Sequence, residues 1–562
     1  MTDQRETLEV DVLFVGAGAA TLAGALHLQN LVAAHNASVA AAGQGSRLEP
    51  MVAVIEKGRE VGAHSLSGAV LDPLALRELV PDYRDKGCPI ECPVETEEVY
   101  FLTRERALRF PFAPPAMRNH GNYIVALAKF NRWLGGLAEA AGANVFPGFA
   151  GVEILEDGAR VAGVRTGDKG IDKSGNRKSN FELGIDIRAK VTVFGDGPRG
   201  YLSKQLIERR NLATGRVRQV YETGVKEVIE MPPGSVPPGR VIHTMGHPFA
   251  RDAVGGTWIY SMADNLLSVG LVTPLDYRDP FTNPHEQLQQ FKEHPAIRKL
   301  LAGGRSTHYG AKVISAGGYH SIPRLYTEGA LLVGEAASMV DMARLKGIHL
   351  AMKSGMLAAE TILSALIADD FSEATLAPYE PAVFESYIGK QMRKTRHFHR
   401  ALSLGLPRAF FHLGLQQLTG GADVVSYKDV EEDRYTLSSV AEYYGADREL
   451  PDPRAYDGEQ FLDKLANVYN SGTMHDEDQP SHLIVPDTSL CHDTCVSKYR
   501  YPCNRFCPAN VYEMVQKDGG GLRLQVNFTN CVHCQTCDIK CPLDNIRWTP
   551  AQGGDGPNYT LM

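Results

Sequence analysis

Eight of the ten cysteines in this 562-residue chain fall between Cys491 and Cys541, and the other two are Cys88 and Cys92. No other feature constrains the fold as strongly. A secreted disulfide scaffold spreads its cysteines through a short chain, whereas here a long cysteine-poor body carries a dense terminal module. Cys531-x2-Cys534-x2-Cys537-x3-Cys541-Pro542 is a spacing that wraps three thiolates around one iron–sulfur cubane. The fourth thiolate then comes from a remote Cys-Pro, which Cys507-Pro508 supplies. The expectation is a [4Fe–4S] cluster on Cys507, Cys531, Cys534 and Cys537. Structural zinc is the competing reading, disfavoured because zinc sites usually pair two CxxC units.

The same run occurs in bacterial ferredoxins, where its last cysteine serves a second cluster. Upstream, Cys495-x7-Cys503-x3-Cys507-Pro resembles the first half of seven-iron ferredoxins. That resemblance implies a second cluster on Cys495, Cys503 and Cys541, with Cys491 a candidate fourth ligand. The alternative is free thiols left from a ferredoxin ancestor. Tyr499 and Tyr501 are candidate hydrogen-bond donors to thiolates, or else core aromatics. Cys88 and Cys92 lie in the proline-flanked CPIECP and read as structural.

The N-terminal half carries a different signal. Val10–Val15 reads as a strand, Gly16-Ala-Gly18-Ala-Ala20 as a turn, and a helical pattern follows to about Leu31. Glycines there allow a tight turn and close approach of a pyrophosphate to the helix N-terminus. The third small position falls on Ala20 or Gly24. A second strand, Met51–Ile55, ends in Glu56, an acceptor for ribose hydroxyls 38 residues beyond Gly18. The polar stretch between reads as a loop insertion. The alternative is a glycine-rich turn without a ligand. Two further turns follow strands, Gly195-Asp196-Gly197 and Gly334-Glu335-Ala. The second leads through Lys346-Gly347 into a helical run, Leu350–Leu366. This order resembles the flavoprotein monooxygenase and reductase superfamily. The resemblance places Glu335 by the FAD ribityl and pyrophosphate, and the helix start at 347–355 by the isoalloxazine. No separate NAD subdomain is evident, so electrons must arrive from elsewhere.

A 43% apolar and 22% charged composition excludes a disordered chain and a polytopic membrane protein. A net charge of −8 argues against nucleic acid as a partner. No signal-peptide pattern opens the sequence, and no long unbroken apolar run is found. Ala401–Thr419 comes closest. Leu402, Leu406, Phe410, Leu413 and Leu418 lie near helical spacing behind Lys390, Arg393, Lys394, Arg396 and Arg400. A helix in the membrane interface and an ordinary amphipathic core helix both fit.

Finally, GAHSLSGAVLDP (62–73), NHGNYIV (119–125), LSKQL (202–206), GLVTPLDYRDP (270–280), KGIHLAMKSG (346–355), HDEDQPSHL (475–483), FCPANVYE (506–513) and NCVHCQTCDIK (530–540) resemble electron transfer flavoprotein–ubiquinone oxidoreductases over nearly the whole chain. The resemblance implies a mixed α/β fold in three parts. These are an FAD-binding Rossmann-like domain of the reductase/hydroxylase type (1–110, 140–205 and 325–400), an inserted quinone-binding domain (206–324 with parts of 111–139), and a C-terminal ferredoxin-like 4Fe-4S domain (481–562). A membrane segment at 401–420 and a connector at 421–480 complete the expectation. The FAD set is then Gly16, Gly18, Glu56, Gly62, Ala63, His64, Asp196, Gly334, Glu335, Lys346 and Gly347. The quinone head group falls on Gly255-Gly256, whose peptide N–H and C=O can bond its oxygens. Val61–Asp82 is expected near the membrane. The implied partners are electron transfer flavoprotein, ubiquinone or menaquinone, and the cytoplasmic side of the inner or plasma membrane, held peripherally or monotopically. Apolar Ile348 and Leu350 depart from the hydroxyl side chains of mitochondrial members. Those members also lack counterparts of Cys495, Cys503 and Cys541. A geranylgeranyl-reductase-like enzyme and a carrier subunit with a degenerate flavin site are the rival readings.

Overall fold

The computed structural model describes residues 4–68, 70–250, 253–422, 430–446, 448–451, 454–516 and 520–562. The side chains of Leu406 and Phe410, two members of the expected apolar stripe, lie outside the described set, as do parts of the 421–480 connector.

Thr7–Val15 buries Val10 and the whole run Val12–Val15. A strand apolar on both faces belongs inside a parallel sheet. It pairs in parallel with Val52–Glu56 on one side and Asp186–Phe194 on the other. The eight-stranded sheet extends to Asn144–Pro147 at one edge and to Ala330–Leu332 and Tyr326–Thr327 at the other. Val15 lies level with both Ile55 and Phe194. Gly16, Glu56 and Gly195 therefore leave the sheet at one carboxyl edge, the usual ligand crevice of such sheets.

The helix after Gly18 runs from Ala19 to Ala42, well past Leu31, and Gly43 closes it in the left-handed region at φ 65°. The stretch read as a loop is thus helical as far as Ala42, in keeping with its alanine content. This helix packs on Ile348–Ala368, which is long and apolar enough in composition to cross a bilayer although His349, Lys353 and Glu360 interrupt its apolar run. Its leucines and alanines are largely buried inside the fold instead.

A second sheet of seven strands orders Arg305–Ser315, Tyr221–Glu230, Leu266–Pro274, Gly256–Ser261, Arg240–Gly246, Thr96–Leu102 and Ala107–Arg109. Residues 96–109, counted above with the first domain, are built into this sheet: Thr96–Leu102 pairs in parallel with Arg240–Gly246. The C-terminal module holds two small antiparallel pairs, Tyr512–Gln516 with Leu522–Val526 and Leu483–Ile484 with Arg547–Trp548. It docks on both sheets. Arg199 and Lys204 pair with Asp538, at 2.8 and 3.2 Å. Val313 donates to the Cys534 carbonyl at 3.2 Å, and the Thr223 and Thr536 hydroxyls meet at 2.9 Å.

Candidate functional site

A cavity of about 700 Å³ opens at the carboxyl edge of the parallel sheet. Gly16, Gly18, Glu56, Gly62, His64, Asp196, Glu335 and Gly347 all line it. The dinucleotide turn is shaped by close contact. Gly16 has φ 88°, and a Cβ there would lie 3.0 Å from the Gly195 carbonyl. A Cβ on Gly18 would meet nothing within 4 Å, because it would point into the cavity. Both candidate third positions are used: Gly24 faces the Gly355 carbonyl, and Ala20 faces Gly334 and Gly355.

Glu56 accepts from Ala17 N at 2.9 Å and Gly58 N at 2.8 Å, which fixes its carboxylate at the strand end. Asp196 Oδ2 accepts from Leu202 N at 2.9 Å. Its Oδ1 is buried with no hydrogen-bond partner among the described residues. Burial raises the Asp196 carboxyl and lifts that of Glu335 to about 7. Two lysines join the lining that the sequence reading did not single out. Burial, then Lys312, holds Lys57 down at about 7, and burial also lowers Lys312. Lys312 lies within the field of Glu56, Glu335 and Cys534, between the cavity and the thiolates.

Ala63, Gly334 and Lys346 fall outside the lining. The Ala63 carbonyl accepts from Tyr559 N at 2.8 Å. Gly334 packs on Ala20 and donates to Ser354 Oγ at 2.8 Å. Lys346 Nζ donates to Asn119 Oδ1 at 2.5 Å and to the Arg344 carbonyl at 3.0 Å. Of the two apolar departures, Ile348 reaches the cavity and Leu350 is core.

Cys507, Cys531, Cys534 and Cys537 are buried together, and no cysteine is in a disulfide. Each of the four acts electrostatically on at least one other of the set. Burial pushes the Cys534 thiol up to about 11, which bound iron would reverse, since a coordinated thiol is deprotonated. His533 N donates to Cys531 Sγ at 3.4 Å, and the backbone at Thr536, Ala509 and Val511 favours the thiolates of Cys534 and Cys507. Such donors tune iron–sulfur potentials. The hydroxyl beside Cys537 belongs to Tyr512; Tyr499 packs instead in an apolar cluster with Leu275 and Tyr277.

The thiolate group and the cavity share a wall. Gln535 and Trp548 of the C-terminal module line the cavity, and the His533 ring meets His64 edge-on at 5.2 Å. Burial lowers both imidazoles well below the ordinary histidine value.

Two family models match the chain: "Electron transfer flavoprotein-ubiquinone oxidoreductase, 4Fe-4S" over residues 458–560 and "ETF-QO, ubiquinone-binding" over 221–314. An electron transfer flavoprotein-ubiquinone oxidoreductase of Pseudomonas aeruginosa is 39% identical, covering 100% of both chains. The mitochondrial one of Homo sapiens is 38% identical over 100% of this chain and 90% of its own. The chain belongs to the electron transfer flavoprotein–ubiquinone oxidoreductase family. Its cofactors are FAD and a [4Fe–4S] cluster, and the buried Asp196 oxygen, the open space at Gly18 and the four clustered thiols fit them. A geranylgeranyl bacteriochlorophyll reductase-like protein of Thermoplasma acidophilum superposes with a TM-score of 0.54 at 20% identity, over 78% of this chain and 97% of that one. That likeness is one of fold.

In this family member the cavity continues past the dinucleotide turn. It reaches Gly255, Gly256, Trp258 and Tyr260 within the matched quinone region, then Leu402, Leu413 and Gln416. The Gly255 N–H already donates to the Ala253 carbonyl at 3.0 Å, so the peptide donor expected for the quinone is engaged in the turn. A Cβ on Gly255 would strike the Val272 carbonyl at 2.4 Å. Nearby, His243 and the Tyr260 hydroxyl are 2.7 Å apart, and burial pushes His243 down to about 3. The helix Leu406–Thr419 turns Gln416 inward, while Phe411 and Leu418 are 70% and 88% exposed.

Proposed function

We propose that this chain accepts electrons from reduced electron transfer flavoprotein and delivers them to ubiquinone at a membrane surface. The observation that carries this reading is the continuity of one cavity. At one end it touches the dinucleotide turn and the wall of the thiolate cluster, and at the other the Gly255–Gly256 turn and the exposed apolar helix. FAD supplies two-electron storage between a one-electron cluster and a two-electron quinone.

Within that reading, Gly16, Gly18 and the first turn of the helix Ala19–Ala42 hold the diphosphate through free N–H groups and the helix dipole. Glu56 keeps oxygens available for the ribose, and Lys57 and Lys312, lowered by burial, regain their charge against an anionic cofactor. Asp196, Glu335 and the Gly347 end of the long core helix surround the remainder. Gly62 and His64 close the side toward the cluster, which Cys507, Cys531, Cys534 and Cys537 ligate. The quinone ring lies by Gly255 and Gly256, flanked by Trp258 and Tyr260. Its apolar tail leaves past Leu402 and Leu413, beside Phe411 and Leu418, which enter the interface of the membrane as a monotopic anchor. The cytoplasmic face suits thiolate-bound iron, because reducing conditions spare it from disulfide formation.

The test is anaerobic turnover with enzymatically reduced electron transfer flavoprotein and a short-tailed ubiquinone. Quinol formation is expected, with NADH inert as direct donor. Protein with full FAD and cubane content that leaves the quinone oxidised would overturn the reading. A menaquinone analogue reduced in preference to ubiquinone would correct the acceptor alone.

A further inference from the structure

Four cysteines remain that the family's single cluster does not use: Cys491, Cys495, Cys503 and Cys541. We infer that they hold a second iron–sulfur cluster, placed one helical turn from the cubane toward the protein surface.

The geometry begins with two short helices. Cys503 opens the helix Cys503–Phe506, and Cys507 caps it, with Cys507 N donating to the Cys503 carbonyl at 3.2 Å. Cys537 lies in the helix Thr536–Lys540, and Cys541 caps that one, with Cys541 N donating to the Cys537 carbonyl at 3.3 Å. Residues four apart in a helix rise about 6 Å along its axis. Each helix therefore offers one sulfur to the cubane, from Cys507 or Cys537, and one sulfur to a neighbouring position, from Cys503 or Cys541.

That neighbouring position is populated. Cys503 lies within the field of Cys495, Cys541 and Cys491, and Cys495 within that of Cys541 and Cys491. Asn545 draws two members together: its backbone N–H donates to Cys541 Sγ at 3.3 Å and its Nδ2 to Cys491 Sγ at 3.5 Å. Leu543 and Ile546 add backbone donors to Cys541. The cubane thiols have the same kind of N–H···S support, which serves an anionic sulfur and gives little to a neutral one. Two cations act on the group as well. The buried Arg505 acts on Cys503 and Cys495, and Arg434 on Cys541. Four thiols gathered without a disulfide, with N–H donors on Cys541 and Cys491 and two guanidiniums near enough to act on the group, form a built site for an anionic metal–sulfide core.

Cys491, Cys503 and Cys541 are half-buried, whereas all four cubane cysteines are buried. The second cluster is thus the outer of the two. It takes one electron at a time from a one-electron donor and passes one to the cubane; no bond is made, and its charge returns to the starting value after each transfer.

The test is iron, acid-labile sulfide and zinc per FAD in the full-length protein purified anaerobically, alongside the double variant Cys495→Ser/Cys541→Ser. The expected wild-type content is about seven or eight irons, for a three-iron or four-iron second centre. The variant is expected to lose about three or four of them while keeping its FAD and the EPR signal of the reduced cubane. Should the variant fail to fold, the wild-type count still decides. About four irons in wild type, zinc in place of the extra irons, or a variant with undiminished iron would overturn the inference. A wild-type protein with no cubane signal at all would strike the reading of Cys507, Cys531, Cys534 and Cys537 instead.

Discussion

Gly355 and Gly18 separate what the fold needs from what the flavin needs. A Cβ at Gly355 would lie 1.9 Å from the Ala20 carbonyl oxygen and 3.0 Å from Gly24 N, both backbone atoms that no rotamer change can move. Ordinary contact begins near 3.4 Å, so Gly355→Ala must open the gap between the two long helices by about 1.5 Å. Overpacking of this kind costs about 1–3 kcal/mol, and a backbone collision belongs at the upper end. Alanine's better helix propensity returns about 1 kcal/mol. The net expectation is a loss of about 2 kcal/mol, seen as a lower unfolding temperature even without cofactor. FAD content falls with it, because the first turns of both helices line the cavity. Gly18→Ala meets nothing in the protein. It should leave the apoprotein's unfolding temperature unchanged while weakening FAD by about tenfold or more, or at least 1.4 kcal/mol. Differential scanning fluorimetry of the apoproteins and flavin titration of both variants read the two effects. An unchanged apoprotein transition for Gly355→Ala, or undiminished FAD affinity for Gly18→Ala, would refute the placement of the diphosphate at this turn or the helix contact behind it.

Three further outcomes follow from single contacts. Lys292 and Glu227 form an ion pair at 2.7 Å with both side chains fully buried; Lys292→Met strands the carboxylate and should cost about 3–5 kcal/mol by chemical denaturation. Phe411→Asp/Leu418→Asp should abolish flotation with anionic liposomes while leaving FAD and iron content intact, and flotation equal to wild type would return the helix to a purely internal role. His399 and Asp276 meet at 3.3 Å beside the start of the surface helix; the carboxylate's hydrogen bond and charge, working against burial, raise the imidazole, and His399 in turn lowers the carboxyl. The histidine's share of stability is full below its unfolded pKa and disappears as pH climbs through the raised folded value, while the aspartate's share is lost only in acid. Hydrogen exchange of residues 398–419, corrected for intrinsic rate, should therefore be faster at about pH 9 than at about pH 6, and equal protection would contradict the pair's anchoring role.

How much of this was legible depended on whether a residue's role is local. Strand, glycine turn and helix at Val10–Leu31 are local, and so is the Cys531–Cys541 spacing. Glu56 was readable at an unusual distance because it closes an apolar strand. Residues 33–42 misled because small and polar residues resemble a loop, although alanines carry the helix on. The strand Thr96–Leu102 joins the second sheet through pairing with Arg240–Gly246, far away in sequence, which no local pattern announces. Lys57, Lys312 and Tyr512 were missed for the same reason: their importance is burial beside carboxylates or thiolates, which only the tertiary structure creates. The position of Lys57 directly after Glu56 was the one available hint. Lys346 shows the reverse situation: sequence places it beside Gly347, and only the fold shows its ammonium bonded to Asn119 and the Arg344 carbonyl.

The central claim is that electrons cross from the thiolate cluster through the flavin cavity to the quinone. The most direct measurement is anaerobic quinol formation from reduced electron transfer flavoprotein by three preparations of the same chain: intact, depleted of FAD with the cubane retained, and refilled with FAD. The prediction is activity in the first, none in the second and recovery in the third. Quinol formed at the intact rate by the flavin-free, cubane-loaded protein would contradict it.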